Sequence, residues 1–181
     1  MEPFRTLRGL PPTGPLPEQF SATGRGMHRE GFVVEFNPGV NSAWVGNFQR
    51  GLTNYDAVVP HPNGQSVIVI AGGHAYVIDP KDRQLEGMLS GQIENALFMP
   101  EAKVLVVSDG LRLEALGERG SLWRSRRISW DGIWDLRTAD GRLHGKCWDA
   151  VNDSESVFAV DIRTGELEGG VNPEPPPGIA Q

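Results

Sequence analysis

The chain has 181 residues, a formal net charge of −6, 39% hydrophobic and 22% charged residues, and a single cysteine. That length supports one real hydrophobic core, and the acidic balance argues against non-specific nucleic-acid binding, which needs clustered Lys and Arg. The lone Cys147 excludes an internal disulfide framework and a thiol-only metal site.

Gly at 23 positions and Pro at 14 suit a chain made of turns. No window longer than one turn keeps apolar residues at helical spacing without a Gly or Pro interrupting it. Residues 1–25 form a Pro- and Gly-rich arm with Pro3, Pro11, Pro12, Pro15 and Pro17. Proline removes donors and blocks helix, so the arm is expected to be extended or disordered unless it lies across a surface. It has no apolar signal core, and no 18-residue apolar run occurs in the chain. The expected location is therefore cytoplasmic, without a membrane partner.

Residues 26–171 are predicted to form a single all-β domain. Gly31 to Asn37 and Ala43 to Phe48 read as a hairpin turned at "NPGVNS". "AVVP", "SVIVIAG", "HAYVID" and "QLEGML" follow as strands, with Asn63-Gly64 supplying the positive φ of a tight turn. The next set is "IENALFMP", "KVLVVSD", "LRLEALG" and "SLWRSRR"; the last is "GIWDLRT", "RLHGKCWD", "SVFAVDI" and "ELEGG". Val67 to Ile70 and Val104 to Val107 are apolar on both faces, as in strands sandwiched between sheets. Val67, Val69, Val77, Leu97, Val104, Val106, Leu113, Leu143, Phe158 and Val160 are the expected core. The segment 172–181, "NPEPPPGIAQ", reads as a Pro-rich tail.

Turns at Gly64, Ala102 and Gly141 stand 38 and 39 residues apart, and another step of 38 back from Gly64 reaches Gly26. A period near 40 with several short strands per unit is the pattern of propeller blades. The expected architecture is stacked small antiparallel sheets, propeller-like, with three to four blade units; a bent two-sheet sandwich is the alternative. Four units are few for a closed ring. Self-association into a homo-oligomer would complete an open arc.

At "PNGQSVIVIAGGHAYVIDPKDRQL" and "VFAVDIRTGELEGG" the chain resembles blades of WD40-like and quinoprotein-like propellers. In those families an acidic residue ends the third strand and a Thr-Gly turn follows. Asp161 with Thr164-Gly165 matches that turn, and Asp79 matches its aspartate, with Asp82-Arg83 where Thr-Gly would stand. The middle repeat departs further, at Glu114 and Ala115. The chain also resembles a group of short bacterial proteins carrying "WVGNFQ", "ISWDG" and a Thr-Gly-Glu ending. The tryptophan-docking pattern of quinoproteins is incomplete, so no cofactor follows.

His28, His61, His74 and His144 show no metal-ligand spacing. Ser129 has no sequence-adjacent histidine and would need His74 or His144 brought in by the fold. Asp109, Asp131 and Asp135 offer carboxylates, yet each sits beside Gly or Trp, where Asp is commonly a local hydrogen-bonding residue. The densest functional pattern is "LWRSRRISWDGIWDL", residues 122–136, which interleaves aromatics with arginines as binding hot spots do. The candidate binding residues are Arg126, Arg127, Trp130, Asp131 and Trp134. The functional expectation is a non-catalytic interaction module with a protein partner and no nucleic acid. The alternatives are a hydrolase or lyase using Asp109, Asp131, His74 or His144, and a small-ligand sensor.

Overall fold

The computed structural model describes residues 3–23, 28–37, 39, 41–89 and 91–171. Gly26 and the segment 172–181 lie outside the described residues. The described chain contains sixteen strands and no helix, and the strands make four sheets of four. The chain divides into two compact units, Met1–Ile93 and Glu94–Gln181.

The first unit holds two sheets. One is built from β1 (Phe4–Leu7), β2 (Glu18–Phe20), β3 (Phe32–Phe36) and β4 (Trp44–Phe48) in the order β1-β3-β4-β2. The β3–β4 hairpin is where the alternating pattern places it. β1 and β2 come from the Pro-rich arm, and β2 runs parallel to β4. That parallel pair is the exception to the expected antiparallel pairing. The other sheet is a meander of β5 (Ala57–Pro60), β6 (Val67–Ala71), β7 (His74–Asp79) and β8 (Gln84–Leu89). Phe20, Val34, Phe36, Trp44 and Phe48 pack against Val67, Val69, Ala71, Tyr76 and Ile78 to make this unit's core.

The second unit repeats the plan with two meanders. They are β9 (Asn95–Met99), β10 (Val104–Ser108), β11 (Leu113–Gly117) and β12 (Gly120–Arg124), then β13 (Ile133–Ala139), β14 (Arg142–Asp149), β15 (Ser154–Asp161) and β16 (Leu167–Gly169). Its core gathers Val104, Val106 and Leu113 from one sheet with Leu143, Phe158 and Val160 from the other. Each such side chain, fully buried, contributes about 1.5–3 kcal/mol.

β6 and β10 are buried at every residue, as their two-faced apolar runs require. Of the expected core, Val67, Val69, Val104, Val106, Leu113, Leu143, Phe158 and Val160 are buried. Val77 and Leu97 are half-buried. Val77 adjoins a bulge where the β7–β8 register shifts, and Leu97 flanks the second core.

Two devices recur. The chain entering a new sheet donates a backbone N–H to the carbonyl near the end of that sheet's second strand: Gly51 to Ala71 (2.9 Å), Glu94 to Ser108 (2.8 Å) and Trp130 to Trp148 (3.1 Å). Each unit also ties one indole to the residue after a strand-ending aspartate. Trp44 Nε1 donates to Pro80 O at 2.9 Å, and Trp123 Nε1 donates to Ile162 O at 2.8 Å. A buried indole N–H needs such a partner.

Those aspartates close their turns in the same way. Asp79 Oδ1 accepts from the backbone of Lys81 and Asp82, and Asp161 Oδ1 from Arg163 and Thr164. Four residues beyond each aspartate the backbone is left-handed, Gly165 at φ 74° and Arg83 at φ 57°. Glycine adopts that conformation freely and arginine does so at a cost.

Candidate functional site

In the second unit, residues 125–132 connect the two sheets, and Ser129 is their centre. Its hydroxyl is buried, donates to Gly132 O at 2.6 Å, and accepts from the backbone N–H of Asp131 (3.1 Å) and Trp148 (3.2 Å). Gly132, at φ 80°, allows the turn to close on that hydroxyl. Ser129 is thus a fastener of the turn.

The five candidate residues all lie on or beside this connection. Arg127 Nε donates to Ser129 O at 3.0 Å and its Nη2 to Trp130 O at 3.1 Å. The same guanidinium lies 5.2 Å from the centroid of the Trp130 ring, a cation–π stack. Arg126 is exposed and donates to Val171 O at 2.9 Å and Gly169 O at 3.3 Å. Both arginines therefore satisfy carbonyls of their own fold. Trp130 and Trp134 are half-buried, and Asp131 is exposed. The Trp130 indole nitrogen is buried without a hydrogen-bond partner.

Beside this connection stands Glu94, which the sequence did not single out. Partial burial, then the charges of Asp131 and Asp109, hold its carboxyl above the usual range. Asp109 is also a turn residue: its Oδ1 accepts from Leu111 N at 3.0 Å and Arg112 N at 2.7 Å. Asp135 lies 3.5 Å from Lys146 Nζ. Among the described residues no group of His, Cys, Asp or Glu is arranged to hold a metal.

The histidines are dispersed. His61 Nδ1 accepts from Asn63 N at 3.1 Å in the turn before β6. His74 opens β7, edge-on to Tyr76 at 6.4 Å, with its Nδ1 buried and unpartnered. His144 pairs across β14 with Ala159 and lines a shallow hollow with Arg137, Lys146 and Glu168. Cys147 is wholly buried, and burial pushes its thiol up, away from the reactive thiolate.

A concavity of the first unit is lined by Arg8, Gly9, Leu10, Pro15 and Leu16 of the arm together with residues of β1, β3 and β4. It is a cleft of about 650 Å³. Its apolar wall is made by Leu7, Leu10, Leu16, Trp44 and Val45, with prolines of the arm beside them. Its charged rim is Arg5, Arg8, Arg83, Glu18 and Glu35. Arg5 is ion-paired with Glu35 across β1 and β3.

The arm that makes this cleft is held by polar contacts. Glu30 Oε2 accepts from Leu10 N at 2.8 Å. Asn47, buried on β4, accepts from Gly31 N at 2.8 Å and donates to Gln19 Oε1 at 2.9 Å. The "WVGNF" run thus supplies the tethered indole, the buried amide and the Phe48 ring. Gly46 must be small, because a Cβ there would lie 2.6 Å from that ring. Leu16 projects from the arm with 92% of its surface exposed. A proline-rich arm carries no periodic signal, so the cleft had no signature in the sequence beyond the prolines themselves.

No family model matches the chain, and no curated protein matches it in sequence. Solved structures do resemble it. A chain from a structure of the eukaryotic initiation factor aligns over 77% of this chain at 8% identity and a TM-score of 0.45. BamB from Moraxella catarrhalis aligns over 86% at 14% identity and 0.40. A chain from an S. cerevisiae assembly of Dbp5 with Nup159, Gle1, IP6 and ADP aligns over 67% at 12% identity and 0.41. This chain spans 40%, 63% and 34% of those chains, respectively. The fold stands on its own strand pairing: all-β, in four small blade-like sheets.

Proposed function

We propose that the protein is a non-catalytic binding module that receives a segment of a protein partner in the cleft of its first unit. The observation that carries this reading is the cleft's composition. An apolar wall beside an almost fully exposed leucine, rimmed by charge, is the anatomy of a recognition surface. The volume, about 650 Å³, lies within the range of built ligand sites.

The test is to pan a random peptide library against the full chain and its Leu16→Asp variant. Leu16 makes little packing contribution, so the variant should keep its melting temperature. Peptides enriched on the natural chain and lost on the variant support the reading. Enrichment that ignores Leu16, or none at all, defeats it.

The connection of the second unit, with Arg126, Arg127, Trp130, Asp131 and Trp134, is a second proposed contact surface. Its support is the exposed Asp131 beside a stacked Arg127–Trp130 pair. Arg127→Ala and Trp134→Ala should lower partner binding while the melting temperature stays within a few degrees. If Trp134→Ala instead costs about 3–5 kcal/mol, the ring is packing and the surface lies elsewhere.

A further inference from the structure

We infer that the segment bound in the first unit's cleft is an extended peptide in which carboxylates flank an apolar side chain. This deepens the reading above and rests on it. Arg5 is neutralised by Glu35, whereas neither Arg8 nor Arg83 is paired with a carboxylate among the described residues. Glu18 is the rim's other carboxylate, so three arginines face two acids in a chain whose net charge is −6. With Glu30 held by Leu10 N beside it, the cleft still concentrates arginine on an acidic protein, and Arg8 and Arg83 are the rim cations left for an incoming group. An arginine fork binds a carboxylate in two parallel hydrogen bonds, which makes carboxylate the matching chemistry.

The backbone of Arg83 points the same way. In the second unit the position equivalent to Arg83 is Gly165, the fifth residue counted from the strand-ending aspartate, and both are left-handed. Among the described residues, Arg83 and Lys103 are the positive-φ side chains that are neither glycine, asparagine nor aspartate. Arg83 therefore bears a conformational cost that its glycine counterpart avoids, and its side chain lines the cleft. Lys103 bears the same cost in an exposed turn, so it is the place of Arg83 on the cleft, together with that cost, that singles it out.

The wall decides the rest of the occupant. Pro11, Pro12 and Pro15 carry no N–H, so this side of the cleft cannot offer a strand ladder. The side chains of Leu7, Leu10 and Leu16 offer only apolar contact, and the almost fully buried Trp44 adds no donor, its N–H being already given to Pro80 O. Recognition falls to side chains: an apolar one against the leucines and acidic ones toward Arg8 and Arg83.

The experiment extends the panning to a third protein, Arg83→Gly. Peptides selected by the natural chain should be net acidic, with Asp or Glu on either side of Leu, Ile, Phe or Pro. On Arg83→Gly the acidic bias should disappear, and a selected acidic peptide should lose about tenfold in affinity. The same variant should melt no lower than the natural chain, since glycine relieves the left-handed backbone. Selected peptides that are neutral or basic yet depend on Leu16 overturn this inference and leave the binding module standing. Peptides insensitive to Leu16 overturn both. Tighter binding of a phosphorylated than of a carboxylate peptide would reassign the partner to a phosphopeptide and also overturn it.

Discussion

Single side chains carry the polar organisation of this protein, and their losses should be measurable. Ser129 satisfies three backbone groups in a buried turn. Ser129→Ala leaves at least one of them without a partner, and we expect a loss of about 1–3 kcal/mol in urea unfolding. Tyr76 offers a pH test. Its ring is buried, its hydroxyl donates to Gln49 O at 2.7 Å, and burial pushes its pKa up to about 12 from 10.0, with a hydrogen bond from Ala22 opposing. The unfolded chain therefore releases this proton first. Between about pH 10 and pH 12 the folded state binds more protons than the unfolded one, and stability falls as pH rises. Below pH 10 the group contributes no slope. Tyr76→Phe should flatten that window in thermal melts taken across it; an unchanged slope would show that the phenol is not the source. Glu94 works at the acidic end. Its carboxyl is raised, so the folded state loses stability as pH rises above the ordinary glutamate range. Glu94→Gln should raise the melting temperature at pH 7 relative to the natural chain and leave it unchanged near pH 4.

The strands show how much was readable. The hairpin at 31–48 and twelve meander strands were legible because their apolar runs alternate or fill both faces, and because Asn63-Gly64, Asp140-Gly141 and Thr164-Gly165 mark turns by their left-handed glycines. β1 and β2 were not legible as strands. They are short, lie among prolines, and gain their partners only from β3 and β4 far along the chain. The cleft depends on that long-range pairing, so it was hidden as well. The 122–136 pattern did mark a sheet-to-sheet connection, but spacing alone does not show that Arg126 and Arg127 turn their donors onto carbonyls of the same fold. Small residues in strands are a further test of the registers. A Cβ at Gly145 on β14 would lie 2.4 Å from the Phe158 ring. Gly145→Ala should cost about 1–3 kcal/mol through overpacking, read as a lower urea midpoint.

At the scale of the whole molecule the chain is two units, each with two sheets and its own apolar cluster. Leu143→Ala, at the centre of the second cluster, should cost about 2–5 kcal/mol in the unfolding transition seen by tryptophan fluorescence. That signal is weighted toward the second unit, which holds Trp123, Trp130, Trp134 and Trp148, while Trp44 alone reports the first.

The two indole tethers have an evolutionary consequence. In each unit the tryptophan and the carbonyl that accepts its hydrogen bond belong to the same pair of sheets. A gene segment encoding such a pair carries both halves of its own fastening. It can be copied, or diverge after copying, without stranding a buried donor in its neighbour. Each pair of sheets can therefore accept its own changes, Arg83 in one where Gly165 stands in the other, without loosening the fastening of its neighbour.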